Sequence, residues 1–442
     1  MIILGIETSC DETALCILEA ETDKDGNTEV KILSNNVLSQ IAIHKEYGGV
    51  FPMVAKREHA KNLTPLLKET LTEAMSDSRF KIQDSGKKNA ESNSLGTCNL
   101  KLETILEREP ELLRQLLEFI PTTEKPPIDI ISVTYGPGLE PCLWTGLNLA
   151  KALSVAWNIP VVATNHMEGH ILVSLLKRNE ENPKHEIRNP KKTIIHHSSF
   201  IIQKPALPAL ALLISGGHTE LVLMKDKLQY EVVGRTRDDA VGEAFDKVAR
   251  ILGLPYPGGP QISALAEKAR KFENHELGIM NYELNQEDLR GQEIKLPRPM
   301  IKSGNLDFSF SGLKTAVLYM VKKLPQPISE ETKAEIAREF EDAVTEVIIE
   351  KVKKAIFEYG IKTLILGGGV VANKNIRKAF QKLAEETGEL TLKIPEIDHA
   401  TDNALMIALA GYLNKDKAIT EATGLLDLKA NGNLSFRVSK SN

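Results

Sequence analysis

The sequence predicts an α/β fold with two related lobes, because one structural module occurs twice along the chain. Near the N-terminus an apolar strand leads through the hydroxyl-rich turn 7–13 into a second strand, and in the second half the turn 215–219 joins two apolar strands in the same way. Each copy continues with another apolar strand, a glycine loop (136–138 or 367–373) and a helix. Repetition of a whole module indicates duplicated lobes with a cleft between them that binds a ligand.

The module boundaries define the expected domains, which are a first lobe at 1–207, a second lobe at 208–400 and a C-terminal segment at 401–442 that completes the site. Two polar segments, 76–127 and 178–205, interrupt the first lobe, and we interpret both as insertions. Pro110 is expected to divide the amphipathic part of the first insertion into two helices. The second insertion is basic and could contact nucleic acid, but we favour the interpretation of a solvated surface loop.

Composition places the chain among ordinary globular proteins. Its 442 residues are 42% hydrophobic and 26% charged, and no apolar run approaches the roughly 18 residues that span a bilayer. No basic segment precedes the first strand and the four cysteines lack CxxC spacing, which together predict a cytoplasmic protein with reduced thiols and no membrane association. The net charge of −5 gives no general attraction for nucleic acid, so such a partner would need a local basic patch.

The glycine and hydroxyl turns indicate phosphate binding. Glycines let backbone N–H groups approach a phosphate closely, and hydroxyls at a turn between strands add further donors. A single Gly-Gly pair is usually only a tight turn, but these turns occur at matching places in two modules. We therefore predict a nucleotide or phosphoanhydride ligand. Asp246 lies near these loops, where carboxylates commonly bind ribose hydroxyls or a metal.

A candidate metal site follows the strand that ends near Thr164. If the chain is helical from His166, then His166 and His170 share one face and can bind one metal ion. Two histidines at this spacing are often only structural, and Gly169 lowers the helix propensity. Asp402, just before the apolar helix 404–413, would complete a site of two histidines and one carboxylate. Alternatively, Asp402 only complements the helix dipole, while Thr401 is expected to be the N-cap.

Seven motifs taken together resemble one family. They are GIETSCDET at 5–13, HMEGH at 166–170, SGGHT at 215–219, GEAFDK at 242–247, YPGGP at 256–260, FSFSGLKTAV at 308–317 and TDNA at 401–404. Their order along the chain is that of the tRNA N6-adenosine threonylcarbamoyltransferase family (TsaD, formerly called a glycoprotease), bacterial type. The resemblance implies the actin-like ATPase fold (ASKHA, ribonuclease H-like), which agrees with the two duplicated lobes.

The resemblance also implies a reaction and its participants. Family members transfer the threonylcarbamoyl group from threonylcarbamoyl-adenylate to N6 of the adenosine 3′ of the anticodon (position 37) in tRNAs that read codons beginning with A, and they release AMP. A TsaB-like paralogue and a TsaE-like ATPase are the implied partners, and the implied cofactor is one divalent metal ion per subunit, iron or zinc. The matching ligands are His166, His170 and Asp402. The positions matching adenylate contacts are Leu213, Ile214, Ser215, Gly216, Gly217, Asp246, Gly259 and Asn373.

Asp11 and Glu12 are our candidates for handling the proton of N6, since their turn is expected to face the cleft.

The chain departs from the family pattern at several positions. Met53 and Lys56 stand where an acid and a serine are common, and Ala400 replaces a frequent cysteine. Leu213 stands where some archaeal relatives offer a tyrosine to the metal, so we expect no fourth protein ligand there. We expect the Met53 region to contact partners or tRNA differently from that of relatives.

Three other functions were compared. A zinc protease of the HExxH type needs a glutamate beside the first histidine, and Met167 occupies that place. A small-molecule kinase would share the fold and the phosphate turns but has no need of His166 and His170. A non-catalytic scaffold of the same fold should lack the metal ligands, which this chain retains.

Overall fold

The structure of the protein is a computed structural model that describes residues 1–77, 80, 92–179, 187–189, 192–194, 199–276 and 294–438. The centres of both predicted insertions, at 81–91 and around 180–198, lie largely outside the described residues.

The described residues form fifteen β-strands. In chain order they are β1 (Ile2–Glu7), β2 (Glu12–Thr22), β3 (Thr28–Ser39), β4 (Ile130–Gly136), β5 (Val161–Asn165), β6 (Leu176–Arg178), β7 (Ile187–Asn189), β8 (Lys192–Ile194), β9 (Ser199–Ile202), β10 (Ala209–Ile214), β11 (Thr219–Asp226), β12 (Gln229–Arg235), β13 (Thr363–Gly367), β14 (Thr391–Lys393) and β15 (Arg437–Val438).

Thirteen α-helices lie in the same part of the chain. They are α1 (Ile41–His44), α2 (Pro52–Ala74), α3 (Ser92–Ile105), α4 (Pro110–Phe119), α5 (Glu140–Trp157), α6 (His166–Val173), α7 (Val241–Ile251), α8 (Gly258–Glu276), α9 (Ser311–Lys323), α10 (Glu330–Tyr359), α11 (Lys374–Thr387), α12 (Ala404–Leu413) and α13 (Ala422–Asp427). Among these helices, none combines the length and the apolar character that a bilayer crossing requires.

The chain divides into two compact units. Unit 1 comprises Met1–Ile43, Val50–Lys204 and Asp402–Ser435, and unit 2 comprises His44–Gly49, Pro205–Thr401 and Phe436–Asn442. Each unit has its own sheet and its own hydrophobic core.

Unit 1 is built on a seven-stranded sheet in the order β5-β4-β1-β2-β3-β9-β6. Strand β1 pairs antiparallel with β2, with Gly5 opposite Cys16, and parallel with β4. Helix α12 crosses β1 at very close range, since a Cβ added at Gly5 would lie 2.4 Å from the carbonyl oxygen of Ala404 and 2.8 Å from the nitrogen of Ala408. Glycine at this position therefore sets the path of the helix that begins just after Asp402.

Alanine at position 5 is expected to destabilise the protein by about 3 kcal/mol, because its Cβ would collide with backbone atoms that cannot rotate away. Urea unfolding would measure the loss. Gly304→Ala is the matched control, since a Cβ at Gly304 meets no atom within 4 Å, and it should change stability by less than about 0.5 kcal/mol. Equal stability of the Gly5→Ala and wild-type proteins would contradict the close packing.

Unit 2 repeats the arrangement of unit 1. Its sheet has the order β14-β13-β10-β11-β12-β15, and its first five strands correspond one by one to β5-β4-β1-β2-β3. Strand β10 pairs antiparallel with β11 and parallel with β13, as β1 does with β2 and β4. The duplicated module predicted from the sequence is confirmed.

Two of the helix predictions agree with the structure. Helix α12 has the predicted bounds, and Pro110 begins the second of two helices as expected. The prediction that Thr401 caps α12 is wrong: the N-cap is Asn403, whose side-chain oxygen accepts from the backbone N–H of Met406. Asn403 is the residue directly before the helix, so its side chain reaches the free N–H groups of the first turn.

Candidate metal centre

Helix α6 carries the two histidines and begins at the end of β5. The Asn165 side chain caps the helix, accepting from the backbone N–H groups of Met167 at 2.8 Å and Glu168 at 3.3 Å. The helix therefore starts at His166, and the predicted helical spacing of His166 and His170 is confirmed. Their ring centroids are 4.8 Å apart.

Gly169 lies inside α6 because another helix approaches it closely. A Cβ at this position would lie 3.0 Å from the Met406 side chain and 3.2 Å from that of Ile407, both on α12. The low helix propensity of glycine is thus offset by tight packing between the two helices, which brings the start of α12 towards the histidines.

Asp402 completes a cluster with the two histidines. Its Oδ1 lies 3.1 Å from Nε2 of His170 and 3.4 Å from Nε2 of His166. One ligand atom from each of the three residues lies within 4.8 Å of the others. Both histidines are buried, and the Asp402 side chain is 20% exposed. The three residues that the sequence nominated as ligands are therefore brought together.

The far side of His166 contacts a second carboxylate. Nδ1 of His166 lies 3.0 Å from Oε2 of Glu7 and 3.2 Å from Oγ of Ser9. Glu7 is fully buried at the end of β1, and its Oε2 also accepts from the hydroxyl of Thr134 at 2.6 Å. Its other oxygen accepts from the backbone N–H of Ser9.

The charges of the cluster depend strongly on one another. Burial acts to lower the pKa of His166, but Asp402 and Glu7 outweigh burial and raise that pKa well above its usual value. Burial acts to raise the pKa of Asp402, but His166 and His170 hold it far below its usual range. Burial likewise acts to raise the pKa of Glu7, and His166 lowers it overall.

These residues suit a divalent metal ion. Two imidazole nitrogens and a carboxylate oxygen form the two-histidine, one-carboxylate set found with iron and zinc. Among the described residues, no lysine or arginine forms an ion pair with Glu7 or Asp402. A divalent cation would balance the two buried negative charges, as buried charges require.

Asp11 lies in the turn between β1 and β2, and Glu12 is the first residue of β2. The buried His59 contacts the chain on both sides of this pair. Nε2–H of His59, on α2, donates to the carbonyl oxygen of Cys10 at 3.0 Å. Nδ1 of His59 accepts from the Thr13 hydroxyl at 2.8 Å. The two carboxylate residues therefore lie between two anchored points of the backbone.

Glu12 is a candidate for proton transfer whose pKa is shifted by its surroundings. Burial, then repulsion from Asp11 and Asp402, raises its pKa well above the usual glutamate range. A carboxylate of raised pKa binds a proton more strongly near neutral pH, as a general base must.

The turn at 215–219 belongs to unit 2 and has open backbone at its tip. The N–H of Ser215 donates to the carbonyl oxygen of His218 at 2.9 Å, and the N–H of His218 donates to Oγ of Ser215 at 3.1 Å. Gly216 and Gly217 are exposed, and a Cβ at either would meet no atom within 4 Å. The tip therefore has room for a ligand against its backbone.

The other residues predicted to contact the adenylate all lie in unit 2. They differ in how far their side chains are exposed or already hydrogen-bonded. The side chains of Leu213 and Ile214 are fully buried, so these residues offer a ligand backbone atoms at most. Oδ1 of Asp246 accepts from the N–H of Gly258 at 2.7 Å, next to Gly259, which is partly exposed. Asn373 caps α11 by accepting from the N–H of Ile376 at 3.0 Å.

The amide nitrogen of Asn373 is also engaged. It donates to Oγ of Ser263 at 2.7 Å and to Oε1 of the buried Glu341 at 2.6 Å. Arg270 pairs with Glu341 at 2.6 Å. Glu341 was not predicted as a site residue, because a glutamate next to Asp342 in a long helix has no distinguishing signal in the sequence.

Two further residues near the metal-ligand cluster of unit 1, Glu7 and His59, were not predicted as site residues. Glu7 belongs to the GIETSCDET motif, which predicted a hydroxyl-rich turn and contributed to the family resemblance but indicated no role for Glu7 itself. His59 stands three residues after Lys56, and the polar partners of its ring come from distant parts of the chain. The departure at Lys56 has a structural explanation, because its ammonium pairs at 3.1 Å with Glu109, whose side chain is 1% exposed.

Comparisons with known proteins agree with this description. The family model described as "tRNA N6-adenosine threonylcarbamoyltransferase" matches residues 31–81, 106–187 and 192–409. Its gaps at 82–105 and 188–191 fall within the two segments interpreted as insertions. A curated protein of that name from Thermosipho africanus is 37% identical over 425 residues, which cover 96% of this chain and 98% of the relative. A second, from Bacillus subtilis, is 36% identical over 96% of this chain and 93% of its own length.

Among solved structures, full-length HypF in its phosphate- and nucleotide-bound form covers 94% of this chain with a TM-score of 0.43 and 11% identity. That similarity is too weak to support a conclusion by itself.

The fold and the site define a duplicated α/β protein with a buried histidine–carboxylate cluster. The chain belongs to the tRNA N6-adenosine threonylcarbamoyltransferase family, and it is a transferase of tRNA modification.

Proposed function

We propose that this protein transfers the threonylcarbamoyl group from threonylcarbamoyl-adenylate to N6 of adenosine 37 in tRNAs that read codons beginning with A, with release of AMP. The observation that carries the proposal is the convergence of His166, His170 and Asp402 in a chain of this family. A small-molecule kinase or a scaffold has no use for that cluster.

His166, His170 and Asp402 would hold one divalent ion, iron or zinc. When bound, such an ion supplies Lewis-acid polarisation of an acyl oxygen. The chain's own contribution is to fix the position of the three ligand atoms, two of them on α6 and the third just before the N-terminus of α12. Packing of α6 against α12 through Gly169 provides that rigidity.

Glu12 would accept the proton that leaves N6 as the new bond to the acyl carbon forms. An exocyclic adenine amine is a poor nucleophile, whereas the mixed anhydride is already activated, so alignment and proton removal are the main tasks. Alignment can supply up to roughly 7–11 kcal/mol of the barrier. Burial, and then repulsion from Asp11, raises the pKa of Glu12 and so favours proton uptake there.

In unit 2, the open backbone at Gly216 and Gly217 would donate hydrogen bonds to the phosphate of the adenylate. Ser215 shapes this turn through its contacts with His218. Asp246, Gly259 and Asn373 would contact the adenosine part. Leu213 and Ile214 would support the turn as buried strand residues.

The implied partners are tRNA, a TsaB-like paralogue and a TsaE-like ATPase, and the implied compartment is the cytoplasm. The test is transfer of labelled threonine to an unmodified tRNA that reads an A-starting codon. The reaction would contain this protein, the adenylate-forming enzyme, bicarbonate and ATP, with the two partners added or withheld. A tRNA with guanosine at position 37 serves as the matched control substrate.

We expect the label to appear on the tRNA with adenosine at position 37 and not on the control tRNA, and we expect AMP to be released as the label is transferred. Formation of the adenylate without any labelled tRNA, under every combination of partners, would overturn the proposed function. Phosphorylation of a small hydroxyl compound by ATP in the same mixture would instead indicate a kinase.

A further inference from the structure

Glu7 lies behind the metal-ligand cluster, and nothing described above gives it a role. It is fully buried at the end of β1, 159 positions from His166 in sequence. The hydrogen bonds of its carboxylate come from the N–H of Ser9, the Thr134 hydroxyl and the His166 ring. A buried carboxylate is costly unless each of its lone pairs has such a partner.

We infer that Glu7 is the positioning residue of the metal centre, orienting the ring of His166 and directing its Nε2 towards the ion. This inference rests on the proposed metal site. A carboxylate only accepts hydrogen bonds, so Nδ1 of His166 must be the donor. The opposite nitrogen, Nε2, lies on the side of Asp402 and is the atom that would give up its proton and bind the ion.

The two histidines differ in this respect. Nδ1 of His170 is buried and has no hydrogen-bond partner among the described residues, so within this part of the chain the hydrogen bond of that ring is the one from Nε2 to Asp402. His166 is therefore the ligand whose metal-binding nitrogen is set before an ion binds, because Glu7 holds the opposite nitrogen, Nδ1. Carboxylate partners of histidine ligands typically contribute about 10- to 100-fold to metal affinity.

Thr134 connects Glu7 to the neighbouring strand of the sheet. Its hydroxyl donates to the Glu7 oxygen that faces His166, and Thr134 lies on β4, which pairs with β1. Glu7 is thus held on one side by a neighbouring strand and on the other by the turn at Ser9, leaving it one orientation towards the histidine.

The test is the affinity for Zn²⁺, measured by competition with a chromophoric chelator, together with the visible spectrum of the Co²⁺-loaded protein. Glu7→Gln keeps the shape of the side chain and removes its charge. We expect it to weaken Zn²⁺ binding by about 10- to 100-fold and to shift the Co²⁺ absorption bands. Thr134→Val, which leaves Glu7 in place, should weaken binding by a few fold.

Glu109→Gln is the matched control, because Glu109 is another buried glutamate of unit 1, paired with Lys56 and Asn148. It should lower thermal stability and leave Zn²⁺ affinity and the Co²⁺ spectrum unchanged. A folded Glu7→Gln protein with Zn²⁺ affinity within twofold of wild type would overturn the inference, as would a wild-type protein that binds neither ion. The metal-binding measurements contain no tRNA or adenylate, so they do not depend on transfer activity. A wild-type protein that binds Zn²⁺ but transfers no threonylcarbamoyl group would therefore refute the proposed function and leave this inference intact.

Discussion

Replacement of Asp402 by asparagine is expected to abolish stable metal binding and to lower threonylcarbamoyl transfer by about 10²–10³-fold or more. The substitution keeps the size of the side chain but removes the negative charge that faces both histidines at 3.1 and 3.4 Å. Lewis-acid catalysis by a metal supplies several kcal/mol, and each 1.36 kcal/mol of barrier is about tenfold in rate. Metal content after dialysis and the rate of label transfer would both be measured.

Asp402→Asn should also change the pH dependence of stability in the metal-free protein. The pKa of Asp402 in the folded protein is far below its usual value of 3.8. The stabilising effect of its charge is therefore complete above the unfolded pKa and disappears as the pH falls below it. Metal-free Asp402→Asn protein should be less stable than wild type at neutral pH, with a gap that narrows in acid.

Asp416→Asn provides the comparison, since Asp416 is exposed and lies in the same C-terminal part of unit 1. It should match wild type in metal content, stability and transfer. Retention of one metal ion per chain by Asp402→Asn, with transfer within tenfold of wild type, would remove Asp402 from the proposed ligand set.

The sequence predicted most of what depends on local pattern and repetition. The bounds of α12 follow from an apolar run with a polar residue before it, and the duplicated strand order follows from the repeated turns. The pairing of His166 with His170 follows from helical spacing. Asp402 was predicted as the third ligand from its position before a helix and from the family resemblance. The structure brings all three residues together.

Features that depend on packing between distant segments were not predictable. Glu7 meets His166 only because β1 pairs with β4 and α6 follows β5 at the adjacent edge of the sheet. Gly169 looked unfavourable in a helix, and its reason is the approach of α12. Leu213 and Ile214 were grouped with the ligand contacts, whereas the apolar run that contains them already indicated buried side chains.

Replacement of Glu12 by glutamine is expected to lower transfer by about 10²-fold or more while making the metal-free protein more stable at neutral pH. General-base catalysis typically contributes about 10²–10⁴-fold, and glutamine cannot take up the proton of N6. The stability gain follows from the raised pKa of Glu12, caused first by burial and then by repulsion from Asp11 and Asp402. Ionised Glu12 therefore destabilises the folded state.

The stability difference between the Glu12→Gln and wild-type proteins should depend on pH. A carboxyl whose folded pKa exceeds the ordinary glutamate value of 4.5 costs nothing below that value, and its cost grows as the pH rises towards the folded pKa. The Glu12→Gln protein should accordingly melt at the same temperature as wild type near pH 4 and at a higher temperature near pH 7. Wild-type transfer should fall as the pH drops below the raised pKa of Glu12 and the carboxylate becomes protonated, and the residual activity of the variant should lack that fall.

Glu21→Gln is the matched control for this experiment, because Glu21 lies on the same strand, β2, and is exposed. It should leave activity, its pH profile and stability unchanged. If Glu12→Gln transferred at the wild-type rate with the wild-type pH profile, another group would have to accept the proton. A loss of activity combined with a loss of stability at neutral pH would point to a structural role for Glu12, since only a strained, functional carboxylate gives lower activity together with higher stability.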